Sequence, residues 1–421
     1  MKIAFAIDTL EEHGSVRRVV DFANELVKNG NRVTIYSSPK KKKKFFGFIS
    51  VKDENAEIEC EWLKCDARVT DIKTLKNTHY NADVLILCTN NPDYFKIAQE
   101  YYAIIKIYYF LSLGDHTNLD RLVKQVQEPG NEDVFKQIIT DDRWRIAVCN
   151  GWMLPFIHNN FRPNDVALIY SGVNTDIFYP SKNIMYPQKD KKVYILSSGD
   201  PRKREGMDAV YRAIDILKRD GYNIELRTYH GKGLSQQEIG DLYRTSHIIL
   251  NGQHYGGWCN IVMEAAACRK PIVTVDSPHA TSQFPISPPC FLKVERDDNE
   301  AMARSCAYLI DNPSIAMTIA NNAYERSKDF RWEYTYKNFV DTLKYWEGKY
   351  NYFGYLEWCD EMFPGLNLDK ENIEEFVARI DDEFKPFKDS LFEFVKELSL
   401  NISRLVEEYP ELKRYLDDDD G

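Results

Sequence analysis

No run of apolar residues in this chain of 421 approaches the ~20 that a membrane-spanning helix needs, which argues against a bilayer-spanning protein. The opening residues, 1–8, are too short for a signal-peptide core and lack a small-residue cleavage pattern; they read as the first strand of a cytoplasmic protein. Metal-ligand spacing is missing too. The nine cysteines are scattered, Cys60 and Cys65 being the closest pair, and such a set fits reduced thiols in a cytosol. An excess of positive charge is also absent, since the formal net charge is −10. From residue 351 onward there are 20 acidic and 8 basic side chains, so the first 350 residues sum to about +2. A near-neutral body does not suit a dedicated nucleic-acid binder. Finally, G-x-G-x-x-G does not follow the first strand, so the first turn is no dinucleotide fingerprint.

What is present is an alternation of short apolar runs with helical periodicity. A length of 421 and a hydrophobic content of 43% favour two cores over one. Residues 2–8 form an apolar strand, and 16–29 carry Val19, Val20, Phe22, Ala23, Leu26 and Val27 at helical spacing. Gly30 stops that helix before a second strand at 32–36, which makes a β-α-β opening. Further strands are predicted at 83–88, 104–110, 145–148 and 166–170, and a helix at 151–158. The stretch 180–192, with two prolines and four lysines, reads as an interdomain linker. A second β-α set follows: strands at 192–196, 224–229, 247–250 and 271–275, with helices at 207–217, 236–244, 301–311 and 315–328 and another running to about 350. The acidic tail from 351 predicts helices at 373–380, 384–395 and 405–415, whose Phe and Leu spacing points to packing on something; 417–420 reads as a frayed end.

Chemistry concentrates at the strand ends. Residues 256–268 read as a glycine turn entering a helix, with Glu264 the single carboxylate among small and apolar neighbours. A helix start there would present N–H groups to an anion, and Glu264 either bonds within the fold or accepts from a ligand's hydroxyls. Arg202, Lys203 and Arg204 follow a strand and a glycine turn; they suit a diphosphate or a solvated basic loop. His116 lies just past the strand at 104–110, where ligands of open α/β sheets bind, and serves as an acceptor-side base or donor or as a plain surface residue. Lys40, Lys41, Lys42, Lys43 and Lys44 precede Phe45 and Phe46, a composition that fits either a solvated loop or contact with an anionic membrane surface.

Three ordered signals resemble the retaining GT-B glycosyltransferases of the GT4-like family (glycosyl transferases group 1), over residues 1–345. Gly14-Ser15-Val16-Arg17-Arg18 resembles the family's first-turn G-G-x-x-R, residues 172–180 its G-V-D-x-x-x-F-x-P, and Phe330-Arg331-Trp332 its closing F-S-W. The resemblance implies an α/β fold of two Rossmann-like domains facing a cleft: an acceptor domain at 1–180, a nucleotide-sugar donor domain at 181–345 and an acidic helical extension at 346–421. It implies a UDP-, GDP- or dTDP-linked sugar as donor, no separate cofactor, and no metal, since D-x-D is absent from the matching loops. Glu264 would accept from the ribose and backbone N–H groups near Asn260, Ile261 and Val262 would hold the diphosphate. Gly14, Ser15, His254 and Gly257 would also line the donor site, and His116 and Glu264 are the candidate catalytic residues.

Two departures stand out. The family's phosphate-clamping Arg and Lys would fall at Asp200 and Glu205, so their role passes to Arg202, Lys203 or Arg204. The first glutamate of its E-x7-E pattern falls at Gly256. The expected activity is sugar transfer to a glycan, glycolipid or protein-linked acceptor. The competing expectations are a non-catalytic accessory protein on the same scaffold, which associates with a partner or itself through the extension, and another nucleotide-sugar enzyme such as an epimerase or phosphorylase.

Overall fold

A computed structural model describes residues 1–11, 14–38, 63–77, 82–89, 92–101, 103–111, 141, 143–161, 165–284 and 287–346, all in the first of the chain's two units, Met1–Glu347. His116, residues 40–46 and the acidic extension from 347 onward lie outside the described residues. The architecture is α/β, built on two wholly parallel sheets.

The first sheet has seven strands in the order β3-β2-β1-β4-β5-β6-β7. They are β1 (Lys2–Ile7), β2 (Arg32–Ser37), β3 (Arg68–Asp71), β4 (Ala82–Leu87), β5 (Ala103–Phe110), β6 (Trp144–Val148) and β7 (Val166–Leu168). The central strands are apolar along their whole length because helices and loops cover both faces of a parallel sheet; Phe5, Ile35, Leu85 and Leu87 have no measurable exposure. Helix α1 (Gly14–Lys28) crosses from β1 to β2 and buries Val19, Val20, Phe22, Ala23 and Leu26 of the stripe read from its spacing, together with Val16. Helices α2 (Pro92–Glu100) and α3 (Met153–Phe161) complete the described helices of this half.

The second sheet has five strands in the order β12-β11-β10-β8-β9. These are β8 (Val193–Ser197), β9 (Ile224–Thr228), β10 (Ile248–Asn251), β11 (Ile272–Val275) and β12 (Leu292–Val294). Its helices are α4 (Met207–Arg219), α5 (Gln236–Thr245), α6 (Asn260–Ala267), the single turn α7 (Pro278–Thr281), α8 (Asn299–Asp311) and α9 (Pro313–Ser327). Val210, Ile214 and Leu217 of α4 meet Leu309 and Ile310 of α8 in one core with Val193, Ile195 and Leu250. Each such side chain contributes roughly 1.5–3 kcal/mol by leaving water.

In both sheets the strand order reverses direction beside the first strand, between β1 and β4 and between β8 and β10. Chain leaving neighbouring strands there diverges and opens a crevice at the carboxyl ends, the usual ligand position of such sheets.

The chain crosses between the halves twice, and the second crossing returns to the first half. Val173 N donates to Phe330 O at 2.7 Å, after which residues 332–346 are helical (α10). Trp332 stacks on Phe22 at 5.7 Å and Phe339 meets the same ring edge-on at 5.1 Å, so α10 packs against α1. Gly172 makes the crossing possible: a Cβ there would sit 2.4 Å from the Trp332 ring.

Candidate active site

Three chain segments meet where the two crevices face each other: the start of α1, the loop after β8 and the loop after β10. The α1 and α6 N-termini approach so closely that a Cβ on Gly14 would lie 3.1 Å from Asn260 Nδ2. Between the halves lies a cavity of about 310 Å³, within the ≈ 300–1,000 Å³ range of small-molecule sites. Gly14, Ser15, Arg17 and Arg18 line it from one side, and Arg202, Arg204, Gly257, Asn260 and Ile261 from the other.

Helix α6 starts with no side-chain cap and no acid in its first turn. Its dipole and first N–H groups therefore favour an anion at its start. The turn that aims it is held from the opposite half. Asn150, just past β6 and fully buried, donates to Gly257 O at 2.9 Å, and Trp152 Nε1 donates to the same oxygen at 3.2 Å. Asn150 Oδ1 in turn accepts from Ser282 Oγ at 2.9 Å.

Glu264 sits one turn into α6 with only 3% of its surface exposed. Its Oε1 accepts from the Arg17 guanidinium, which reaches across from α1, while its Oε2 is buried without a partner. Arg17 also donates to Gln236 Oε1 at 3.0 Å, at the start of α5. Around this pair is a void of only about 10 Å³, lined by Arg17, Asp21, Asn174 and Glu264 among others. Burial pushes the Asp21 carboxyl up to about 6, against the pull of Arg17.

The loop after β8 places its charges in opposed pairs. Arg202 Nε bonds both Asp200 oxygens at 3.0 and 2.9 Å, and its Nη2 reaches Glu205 Oε1 at 3.2 Å. Arg204 Nε donates to the same Glu205 oxygen at 3.0 Å. Burial opposes the charge on Asp200, yet the Arg202 contacts outweigh it and hold that carboxyl below the usual range. At Glu205 burial prevails over Arg204 and raises the carboxyl. Both acids line the cavity.

Among the residues singled out in the sequence, Gly14, Ser15, Arg202, Arg204, Gly257, Asn260 and Ile261 converge on the cavity. Glu264 lies beneath it, behind Arg17. Lys203 is exposed on the 3-10 turn Lys203–Glu205 and does not line the cavity, nor does Val262, buried inside α6. His254 turns away, with Nε2 3.1 Å from Asp297 Oδ1. Burial lowers its pKa, helped by Arg296 and opposed by Asp297. A Cβ on Gly256 would lie 3.3 Å from both Gln253 Nε2 and His279 Cδ2, so neutral side chains surround that position. His279 is 1% exposed with both ring nitrogens unpartnered, and burial, aided by Arg204 and His254, lowers its pKa to about 3.

Sequence reasoning missed Arg17, Gln236, Asn150 and Trp152. Arg17 fell on an unspecified position of the first-turn motif, beside its Arg18, and its bond to Glu264 spans 247 positions. No group of three or more metal-ligating side chains is present among the described residues, and no described helix is long and apolar enough to cross a membrane.

Residues 195–344 match the sequence model of a family described as glycosyl transferase-like. No curated protein matches the chain in sequence. Among solved structures, a sucrose-phosphate synthase from Thermosynechococcus elongatus superposes with a TM-score of 0.62 at 14% identity, over 82% of this chain and 99% of that one. Anabaena HepE, solved in complex with UDP and glucose, gives a TM-score of 0.57 at 12% identity, over 82% and 99% of the two chains. Staphylococcus aureus TarM, solved with fondaparinux, alpha-GlcNAc-glycerol and UDP, gives 0.58 at 11% identity, over 81% and 99%. The fold is thus that of the GT-B glycosyltransferases, two Rossmann-like halves facing a cleft.

Proposed function

We propose that the chain is a glycosyltransferase that takes a sugar from a nucleoside diphosphate held in this cleft and passes it, with retention of configuration and without a metal, to a hydroxyl of a glycan, glycolipid or protein-linked acceptor. The observation that carries the reading is the uncapped, acid-free start of α6, opposed by the start of α1 across a 310 Å³ cavity at the switch points of both sheets. A dianionic diphosphate fits two helix N-termini better than any neutral ligand does. The family match over 195–344, which contains α6, supports the same reading.

As the bond from sugar to diphosphate breaks, negative charge grows on the leaving oxygens. N–H groups of Asn260, Ile261 and Val262 stabilise it without reorganising, which lowers the barrier. Glu264 accepts from the nucleoside's ribose. Closure of the two halves excludes water and sets the acceptor hydroxyl on the face the diphosphate leaves. On this reading His116 assists the acceptor, the lysine and phenylalanine run at 40–46 meets an anionic membrane surface on the cytoplasmic side, and the acidic extension binds a partner or a second copy.

The test is release of nucleoside diphosphate from a panel of UDP-, GDP- and dTDP-sugars offered with glycan and glycolipid acceptors. Release from one donor class, dependent on acceptor, is the expected outcome; folded protein that turns over none of them counts against the reading. The neutral surroundings of Gly256 favour a second reading, a binding protein of the same fold. It predicts donor binding without turnover.

A further inference from the structure

The cations that face the cleft, on the loop after β8 and on α1, are in unequal states. Arg202 and Arg204 are engaged by Asp200 and Glu205, carboxylates that themselves face the cavity. Any phosphate approaching that wall meets two acids together with their two partners. From the opposite wall, Arg17 reaches into the cleft from the first turn of α1 and ends on Glu264, one helical turn beyond the start of α6. Its guanidinium therefore lies about one helical pitch, roughly 5–6 Å, from the anion position at that helix start.

Glu264 in this arrangement is unreachable by a pentose. Its Oε1 is taken by Arg17, and the adjoining void of about 10 Å³ holds no more than a water. The 310 Å³ cavity touches Arg17 but not Glu264. A nucleotide entering the cleft thus meets the arginine before the glutamate. Removing one partner of a buried ion pair strands the other charge, which is costly unless a replacement arrives at once. A nucleoside diphosphate brings both replacements in one molecule: ribose hydroxyls that donate to Glu264, and phosphate oxygens that accept from Arg17.

We propose that Arg17 is the diphosphate-binding cation of this site, supplied by the α1 half, and that donor entry is an exchange in which Glu264 trades Arg17 for the ribose while Arg17 turns onto the phosphates. This rests on the nucleotide-sugar reading above and extends it. No covalent step is involved; the exchange conserves charge within the site. It also couples the halves, because the arginine that bridges them through Glu264 bridges them through the ligand afterwards. Bidentate arginine–phosphate contacts are among the stronger charge-assisted bonds.

The experiment is calorimetric titration of the full chain with UDP, GDP and dTDP and with the matching nucleosides, for the unaltered protein and for Arg17→Gln, Arg17→Lys and the double variant Arg17→Gln/Glu264→Gln. Arg17→Gln is expected to weaken the bound diphosphate at least tenfold while leaving its nucleoside unchanged or tighter, since the cap on Glu264 is gone. Arg17→Lys should stay within about threefold to tenfold of the original for the diphosphate. If Arg17→Gln does not fold, the double variant removes both charges together and must show the same tenfold fall in the ratio of diphosphate to nucleoside affinity. Equal losses for diphosphate and nucleoside, or diphosphate affinity within twofold of the original, overturn the assignment while the transferase reading stands. An unaltered chain that binds no nucleoside diphosphate overturns both.

Discussion

Half-buried Asp21 and buried His279 are groups whose charge the fold resists, from opposite sides of the pH scale. Asp21 has its pKa raised to about 6 by burial, so its contribution to stability is complete below about 4 and is lost as pH rises through 6. Asp21→Asn is therefore expected to melt higher than the parent at pH 7, by about 1–2 kcal/mol, and no higher at pH 4. His279 has its pKa lowered to about 3, chiefly by burial. The unfolded chain takes up that proton near 6.5, so the native state loses stability as pH falls below 6.5 toward 3. In His279→Phe the fall in stability between pH 6.5 and 4 should be shallower, by up to about 1.4 kcal/mol per pH unit. Denaturant titrations at three pH values check both. At this scale the site was partly legible. A lone carboxylate in a small-residue helix marked Glu264, and glycines marked the turn before it. That Arg17 holds Glu264, and that Asp200 and Glu205 hold Arg202 and Arg204, depends on rotamers and distant contacts that no local spacing encodes.

Elements carry the next set of consequences. Gly206 ends the 3-10 turn and begins α4 with φ of 62°, and a Cβ there would lie 2.0 Å from Gly252 O. Gly206→Ala must move the cavity loop after β10 or unfold it, so a loss of about 3 kcal/mol or more is expected in thermal melts. Ser235 and Glu238 form a capping box at the start of α5, and Ser235→Ala should cost about 1 kcal/mol in the same melts. Strongly periodic elements were readable from sequence: α1, α4 and α5 fall within two residues of the spacing that predicted them. Several short elements were not, among them β3, β12 and α2. Strand β3 has polar residues at three of its four positions, and edge strands need no apolar run. Strand β12 is three residues long and bounded by a cysteine-phenylalanine turn that resembles loop. Helix α2 opens on a proline within a polar stretch, where turn and helix start look alike.

At the scale of the molecule, specific contacts among the described residues join the halves. Trp332 and Phe339 of α10 pack on Phe22 of α1, far from them in sequence. Sequence periodicity predicted a helix there but not which half it covers. Phe339→Ala should destabilise the protein by about 3–5 kcal/mol and release the first sheet before the second in hydrogen exchange. Asn150, by contrast, leaves the cores alone and fixes the Gly257 turn from the other half. On the transferase reading, Asn150→Ala should weaken donor binding and lower turnover together, because it loosens both the alignment of the halves and the Gly257 turn that aims α6.

The proposed function requires the anion of a nucleotide-sugar to sit between the starts of α1 and α6. Amide hydrogen exchange of the full chain, with and without a saturating nucleoside diphosphate or nucleotide-sugar from the class that binds, tests it directly. Slowed exchange confined to the first turns of α1 and α6 and the loop at 252–259 is the predicted result. Protection that leaves those amides unchanged and appears elsewhere on the chain would contradict it.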